Sequence, residues 1–65
     1  MSDKEKEILE FIAKNGKIKS EDCEKFLGIS RVTANKYFKV LMNRKFIAKV
    51  GGGKYTYYTL KNEHK

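Results

Sequence analysis

Apolar residues recur at helical spacing in three stretches of the chain, and the first stretch has clear boundaries. Ser2 followed by Glu5 forms a capping-box pattern at its start, and the Asn-Gly pair at 15–16 ends it. Its apolar stripe consists of Ile8, Leu9, Phe11 and Ile12. The Lys-Ile-Lys segment at 17–19 is too short for a full element, so it predicts a connector or minimal strand anchored by Ile18.

A short second helix follows, with Ser20 as its predicted N-cap because several acids occupy the positions after it. Its predicted buried stripe consists of Cys23, Phe26 and Leu27. Gly28 is a natural left-handed residue to end this helix. Only Ile29 separates it from the next N-cap, Ser30. Such a short turn between two helices is typical of a helix-turn-helix.

The third helix is predicted from residue 30 to about residue 44, with two contrasting sides. At 100° per residue, one side collects Ala34, Phe38 and Leu41, with Tyr37 and Met42 on its flanks. The opposite side collects Val32, Lys36, Lys39 and Asn43, with Asn35 at the boundary. We expect the first side to face the core and the second to face solvent.

Beyond residue 45 the pattern changes to the alternation of a β-hairpin. Residues 46–50 and 55–60 contain β-branched and aromatic residues in period two, and three glycines at 51–53 lie between them. The pattern predicts that Phe46 to Val50 pairs with Tyr55 to Leu60. Within the second strand, Tyr58 and Leu60 are expected to face the core together.

Length and composition set the class of protein. A chain of 65 residues buries only about 60% of its unfolded surface, so we expect one domain over 1–65, with 61–65 as a polar tail. A single cysteine excludes an intramolecular disulfide, and one cysteine with one histidine cannot make a structural zinc site unaided; Cys23 is interpreted as a core residue. We find no catalytic, cofactor-binding or metal-binding motif, which predicts a non-enzymatic protein without a cofactor or small-molecule substrate.

No apolar run approaches the roughly 18 residues of a membrane span, and the N-terminal segment "MSDKEKEI" lacks the apolar region of a signal peptide. The expectation is a cytoplasmic protein without a membrane partner.

Charge is the more informative property, since the net charge of +7 is unevenly distributed. Residues 1–24 carry five lysines and seven acids, whereas residues 25–62 carry nine lysines or arginines and no acid. Thirty-eight residues without a carboxylate indicate a polyanionic partner, with nucleic acid as the leading candidate.

The order of elements resembles a winged helix-turn-helix domain over nearly the whole chain. "LGISRVTANKYFKVL" at 27–41 is similar to the turn and recognition helix of many transcriptional regulators, and "FIAKVGGGKYTYYTL" at 46–60 is similar to the wing. The resemblance is strongest to small winged helices at the C-termini of some archaeal and bacterial regulators. It implies a mainly helical α+β fold and double-stranded DNA binding in transcription regulation.

In that family the third helix enters the major groove and the wing touches the backbone or minor groove. The resemblance therefore assigns these roles to residues 30–43 and 49–54. Family members often have glycine at the position of Lys45, so this lysine is expected in a left-handed conformation, at a cost of about 1 to 2 kcal/mol. The chain has no proline, which argues against the winged helices that bind left-handed nucleic acids.

The start of the third helix departs from the charge preference of helices. The first two helices have acids in their first turn, whereas the third has Arg31, which forgoes roughly 0.3 to 1 kcal/mol. An acid-free helix start with an arginine is typical of a phosphate-binding site, although a chance surface arginine is the alternative. The candidate DNA-binding residues are Ser30, Arg31, Val32, Thr33, Asn35, Lys36, Lys39, Asn43, Lys49 and Lys54.

Individual roles follow from side-chain chemistry, and each has a structural alternative. Lys36 and Lys39 suit phosphates or guanine edges, and Asn35 suits adenine or simple solvation. Val32 and Thr33 suit thymine methyl groups, while Thr33 serves equally well as a capping residue. In the wing, the cations are Lys49 and Lys54, which flank the glycines at 51–53. An ordinary hairpin tip is the alternative there.

Two other functions remain open at this point. A winged helix used as a protein-docking module would expose an apolar patch in place of the cationic helix face. Single-stranded DNA or RNA binding would require outward tyrosines on the last strand, among Tyr55, Tyr57 and Tyr58. A homodimer through the first helix is a further possibility if Phe11 is not fully used by the core.

Overall fold

The computed structural model describes residues 3–61, which form three helices followed by a two-stranded antiparallel hairpin. The elements are α1 (Asp3–Asn15), α2 (Ser20–Leu27), α3 (Arg31–Asn43), β1 (Ile47–Val50) and β2 (Tyr57–Leu60), with a short 3-10 turn at Gly53–Tyr55. This mainly helical α+β arrangement confirms the predicted fold class and is consistent with a winged helix. None of the helices within residues 3–61 is long and apolar enough to cross a membrane.

Helix α1 places two apolar residues in the centre of the molecule. Ile8 and Ile12 are buried, and Leu9 and Phe11 pack against the core from its edge. Glu5, in the acidic first turn, is also buried. The other member of the predicted capping box, Ser2, lies outside the described residues, as does the polar tail beyond residue 61. Helix α1 therefore has the predicted stripe and the predicted end.

Helix α2 begins one residue earlier than the sequence indicated. The predicted N-cap, Ser20, is instead the first helical residue, and Lys19 takes the N-cap position. The reason is that the Asp22 carboxylate accepts a hydrogen bond from the Lys19 backbone N–H at 3.1 Å, which satisfies one donor at the helix start. A carboxylate three residues into the helix thus replaces the expected serine hydroxyl.

The predicted buried stripe of α2 is wrong at one position. Cys23 is fully buried and Leu27 packs against the core, but Phe26 is 50% exposed. Its ring instead lies against Phe11 of α1, with the ring centroids 5.2 Å apart. A domain of this size leaves part of its apolar surface outside the core, and the two rings shield each other between α1 and α2.

A three-residue turn connects α2 to α3 as predicted. Gly28 is left-handed with φ of 66°, and the backbone N–H groups of Gly28 and Ile29 both donate to the Glu24 carbonyl. Ser30 is the N-cap of α3. The core side of α3 also agrees with the prediction, since its buried residues are Ala34, Phe38 and Leu41.

The hairpin is shorter than predicted, and its second strand reaches the core only in part. Pairing runs from Ile47 opposite Leu60 to Val50 opposite Tyr57, so Phe46, Tyr55 and Thr56 lie outside the strands. Tyr58 is buried, but Leu60 is 42% exposed, which contradicts the prediction of a shared core face. A two-stranded ribbon is strongly twisted, so the helices cover the diagonal formed by Ile47 and Tyr58.

Tyr58 connects the hairpin to the rest of the domain. Its ring stacks on Phe38 of α3, with centroids 4.1 Å apart and planes 17° apart. Its backbone exchanges two hydrogen bonds with Ile18, of 2.8 and 2.9 Å, which makes the predicted minimal strand a single bridge. One residue of β2 is thereby fixed to both α3 and the segment before α2.

Lys45 adopts the left-handed conformation that the resemblance implied, with φ of 66°. Its N–H donates to the Met42 carbonyl, and the next N–H, from Phe46, donates to the Leu41 carbonyl. These bonds close the end of α3 and direct the chain into β1. Among the non-glycine residues in 3–61, Lys45 alone has a positive φ.

Replacing Lys45 with glycine is expected to stabilise the domain. Relief of the left-handed Cβ strain, worth roughly 1 to 2 kcal/mol, exceeds the extra unfolded-state entropy of glycine, so the net gain should be about 0.5 to 1 kcal/mol. The midpoint temperature of thermal unfolding should rise by roughly 2 to 8 °C. Lys45→Ala removes the same charge but keeps a Cβ, so it should not show this gain. Equal stabilisation by both variants would contradict the strain argument.

Stability should decline in alkaline solution because of Cys23. Burial, with a smaller contribution from the Glu24 charge, raises the pKa of its thiol from 9.0 to about 11. The unfolded chain therefore releases this proton first, and stability is lost as the pH rises from about 9 towards 11. Denaturant unfolding measured across this range should show a smaller decline for Cys23→Ala. Parallel curves for the two proteins would contradict the assignment.

Candidate nucleic-acid interface

The first turn of α3 is capped by a hydroxyl pair. The Ser30 hydroxyl accepts a hydrogen bond from the Thr33 backbone N–H at 3.2 Å and lies 3.1 Å from the Thr33 hydroxyl, to which it donates. The capping role therefore belongs to Ser30, and Thr33 supports it. No acid lies in this first turn. The positive end of the helix is thus compensated by side-chain oxygens without a formal negative charge.

Arg31, the first residue of α3, contacts an acid from the neighbouring helix. Its Nε lies 3.4 Å from Oε2 of Glu24, while its side chain remains 73% exposed. The distance exceeds the 2.7–2.9 Å typical of a strong charge-assisted bond. The pair therefore orients the guanidinium without burying it, and the two terminal nitrogens of Arg31 are not used in this contact.

The outer face of α3 is exposed, as the periodicity predicted. Val32 is 78% exposed, and Asn35, Lys36, Lys39 and Asn43 are exposed with it. Within residues 3–61, neither lysine of this face forms a salt bridge. The positive charge of this face is therefore not neutralised by any acid within the described residues.

The glycines of the hairpin tip build a compact turn. A Cβ on Gly51, which has φ of 82°, would lie 2.8 Å from the Tyr55 carbonyl oxygen, so this position requires glycine. The tip is closed by a hydrogen bond from the Thr56 hydroxyl to the Gly53 carbonyl at 2.9 Å. Lys54 lies on this turn, with its Nζ 5.8 Å from the centre of the Tyr55 ring.

An open groove of about 570 Å³ lies between the starts of α2 and α3 and the hairpin. It brings together four of the candidate residues, namely Arg31, Asn35, Lys49 and Lys54. The other six do not line the groove and belong to the start and outer face of α3, and they are Ser30, Val32, Thr33, Lys36, Lys39 and Asn43. The candidate residues thus form a groove and an adjoining helix face.

The charge of the groove is strongly positive. Besides the three cations already named, Lys19 lines it, and Glu21 is its one acidic lining residue within 3–61. Glu21 forms a long salt bridge of 3.8 Å with Lys25, and both side chains are largely exposed, so the contact contributes little to stability. Four cations against one carboxylate make a site suited to phosphate oxygens.

A comparison with protein families decides the class of this domain. Residues 1–61 match the family described as the C-terminal domain of DIP2311-like transcriptional regulators. The chain belongs to this family. No curated protein and no solved structure matches the chain.

Sequence reasoning missed several residues of this regulator domain's groove. The missed residues are Lys19, Ser20, Glu21, Thr56 and Tyr58. Residues 1–24 are acidic on balance, but Lys17 and Lys19 form a basic pair within them. This local change in the sign of the charge could have identified Lys19 as a candidate residue. The contact between Glu24 and Arg31 had no such signal, because seven residues and a turn separate the partners.

The cap at Ser30 gives a test of how α3 of the regulator domain is stabilised. Ser30→Ala should lower the free energy of unfolding by about 1 kcal/mol, because the Thr33 N–H loses its acceptor. Ser30→Asp retains an acceptor and adds negative charge at the positive helix end, so it should be as stable as the wild type or more so. Denaturant unfolding measures both. Equal losses in the two variants would remove Ser30 from the capping role.

Proposed function

We propose that this domain binds double-stranded DNA as part of a transcriptional regulator. In this proposal α3 enters the major groove, and residues 49–54 of the wing lie on the backbone or minor groove. The observation that carries it is that the cationic groove adjoins the exposed outer face of α3, where Lys36 and Lys39 form no salt bridge within residues 3–61. The family match supports a regulatory role.

The dimensions of α3 support this proposal. A helix of 13 residues is about 20 Å long, and the major groove of B-DNA, about 12 Å wide, admits an α-helix. Lys36 and Lys39 on its outer face are suited to phosphates that border the groove, and Val32 and Asn43 to base edges between them. Lys49 and Lys54 are suited to a phosphate strand that passes along the wing.

The remaining candidate residues divide between two roles. Arg31 and Asn35 lie one helical turn apart and both line the groove, so they are suited to contacts beside the wing. Ser30 and Thr33 are engaged with each other, so we assign them the role of presenting the helix start. Backbone N–H groups of that first turn then remain as donors towards phosphate.

Duplex DNA is favoured over single strands by the positions of the tyrosines. Tyr58 is buried against Phe38, and the ring of Tyr57 is covered by Lys17, whose Nζ lies 4.9 Å from its centre. Tyr55 is exposed but lies in the 3-10 turn, outside the strand. A stacking platform needs several outward aromatic rings in a row, and β2 does not offer them.

Duplex DNA is also favoured over a protein-docking role, because the outer face of α3 keeps its cations.

We propose further that the domain has no enzymatic activity, acts in the cytoplasm without a membrane partner, and uses α1 in any homodimer. The partly buried Phe11, paired with the half-exposed Phe26, supports α1 as that surface. A single module covers about 600 to 1,000 Å² of DNA interface, which favours pairing of two modules.

A salt series of duplex binding tests the role of α3. If Lys36 and Lys39 each contact one phosphate, the double variant Lys36→Ala, Lys39→Ala should reduce the magnitude of the negative slope of log affinity against log salt by about 1.8. The matched control is Lys6→Ala, Lys14→Ala, which removes the same charge from exposed positions on α1. Its slope should remain close to that of the wild type.

The same titration with a single strand of identical sequence separates the alternatives. Tighter binding of the single strand than of the duplex would contradict the proposed function. An unchanged slope in the α3 double variant would remove the outer face of α3 from the interface, even if the wild type binds the duplex.

A further inference from the structure

The contact between Glu24 and Arg31 joins α2 to the first residue of α3 at the edge of the groove. Arg31 lines the groove and Glu24 does not, and the Glu24 side chain is only 30% exposed. The carboxylate therefore approaches the guanidinium from the protein side, through Nε at 3.4 Å. The backbone carbonyl of Glu24 also accepts the N–H groups of the turn, which holds this part of α2 close to α3.

This contact uses one nitrogen of the guanidinium and leaves a particular edge available. Arginine has five N–H donors, of which Nε carries one and the two terminal nitrogens carry four. The two terminal nitrogens together present parallel N–H groups, the arrangement that a bidentate acceptor requires. In a DNA complex such an acceptor is either a phosphate group or the O6 and N7 edge of guanine.

The carboxylate of Glu24 favours guanine over phosphate at this position. A phosphate on the outer edge of Arg31 would add a second negative charge within a few ångströms of Glu24, and like charges at such distances repel. The guanine edge is neutral and meets no such repulsion. Asn35 lies one turn further along α3 and lines the same groove, so it can contact the neighbouring base pair, where an amide suits adenine.

We propose that Glu24 is a positioning residue that makes Arg31 a reader of guanine, with Asn35 reading an adenine beside it. This inference rests on the proposed entry of α3 into the major groove. Glu24 then acts as a specificity determinant that touches no DNA itself. It lowers the affinity for every sequence through its charge and restricts the favourable contact of Arg31 to one base.

Variants of this pair are suitable for a test because they should fold. The pair is largely exposed on the Arg31 side, and contacts of that kind contribute little to stability. Glu24→Gln keeps the size of the side chain and removes its charge. Glu21→Gln is the matched control, because it removes a carboxylate from the same helix that lines the groove but pairs with Lys25.

The experiment begins with selection of duplexes by the wild-type protein from a library of about 20 randomised base pairs, of the length that one or two modules cover. Affinities are then measured for the selected duplex, for a scrambled duplex, and for duplexes in which each guanine of the selected site is replaced by adenine. Arg31→Ala should lose about 5- to 150-fold on the selected duplex and lose its discrimination at one guanine. On the scrambled duplex its salt slope should stay close to that of the wild type.

Glu24→Gln should bind the scrambled duplex more tightly and lose discrimination at the same guanine as Arg31→Ala. Glu21→Gln should tighten binding to all duplexes alike and keep that discrimination. Equal discrimination in the two glutamine variants would overturn the proposal. So would an Arg31→Ala variant that loses affinity equally on every sequence and whose negative salt slope falls in magnitude by about 0.9. Duplex binding without any selected guanine would overturn this inference alone, whereas the absence of duplex binding would overturn the proposed function.

Discussion

The position of Tyr58 is the constraint on which the candidate nucleic-acid interface depends. A two-stranded hairpin is marginally stable alone, so β1 and β2 need the helices to hold them in place. Tyr58 supplies this attachment twice, through the ring stack on Phe38 and through the backbone bridge to Ile18. Because Phe38 lies on α3 and Ile18 precedes α2, the same residue fixes the hairpin to α3 and to the segment that leads into α2. The groove lies beside the point where these three segments meet at one residue, which is itself part of the groove lining.

Much of the fold follows from local chemistry, and the parts that do not follow are long-range. Periodicity alone places Ala34, Phe38 and Leu41 in the core, since a helix side is determined by spacing within one element. The exposure of Leu60 could not be obtained this way, because it depends on how a twisted hairpin lies across the helices. The start of α2 at Lys19 depends on local residues only. Predicting it would require deciding whether the Ser20 hydroxyl or the Asp22 carboxylate accepts the hydrogen bond at the helix start.

The interface shows the same division between local and long-range information. The exposed face of α3 and the cations of the wing could be predicted from sequence because exposure and charge are properties of single elements. Their meeting in one groove with Lys19 and Ser20 could not, because it depends on the attachment at Tyr58. The pairing of Arg31 with Glu24 was hidden by the linear charge pattern, which separates the acidic first 24 residues from the acid-free segment that follows.

That separation of charge along the chain is partly reversed in space, and the proposed recognition of DNA depends on this reversal. Glu21 and Glu24 belong to the acidic segment, yet α2 brings the first into the groove and the second against Arg31. Cations alone would bind every phosphate backbone with similar affinity, because counterion release carries no sequence information. In the proposed complex, these two carboxylates would weaken that indiscriminate attraction near the start of α3. Within residues 3–61, Lys36 and Lys39 on the outer face form no salt bridge. Under the proposed entry of α3 into the major groove, this placement of charge divides the helix into a start that contacts bases and an outer face that contacts phosphates.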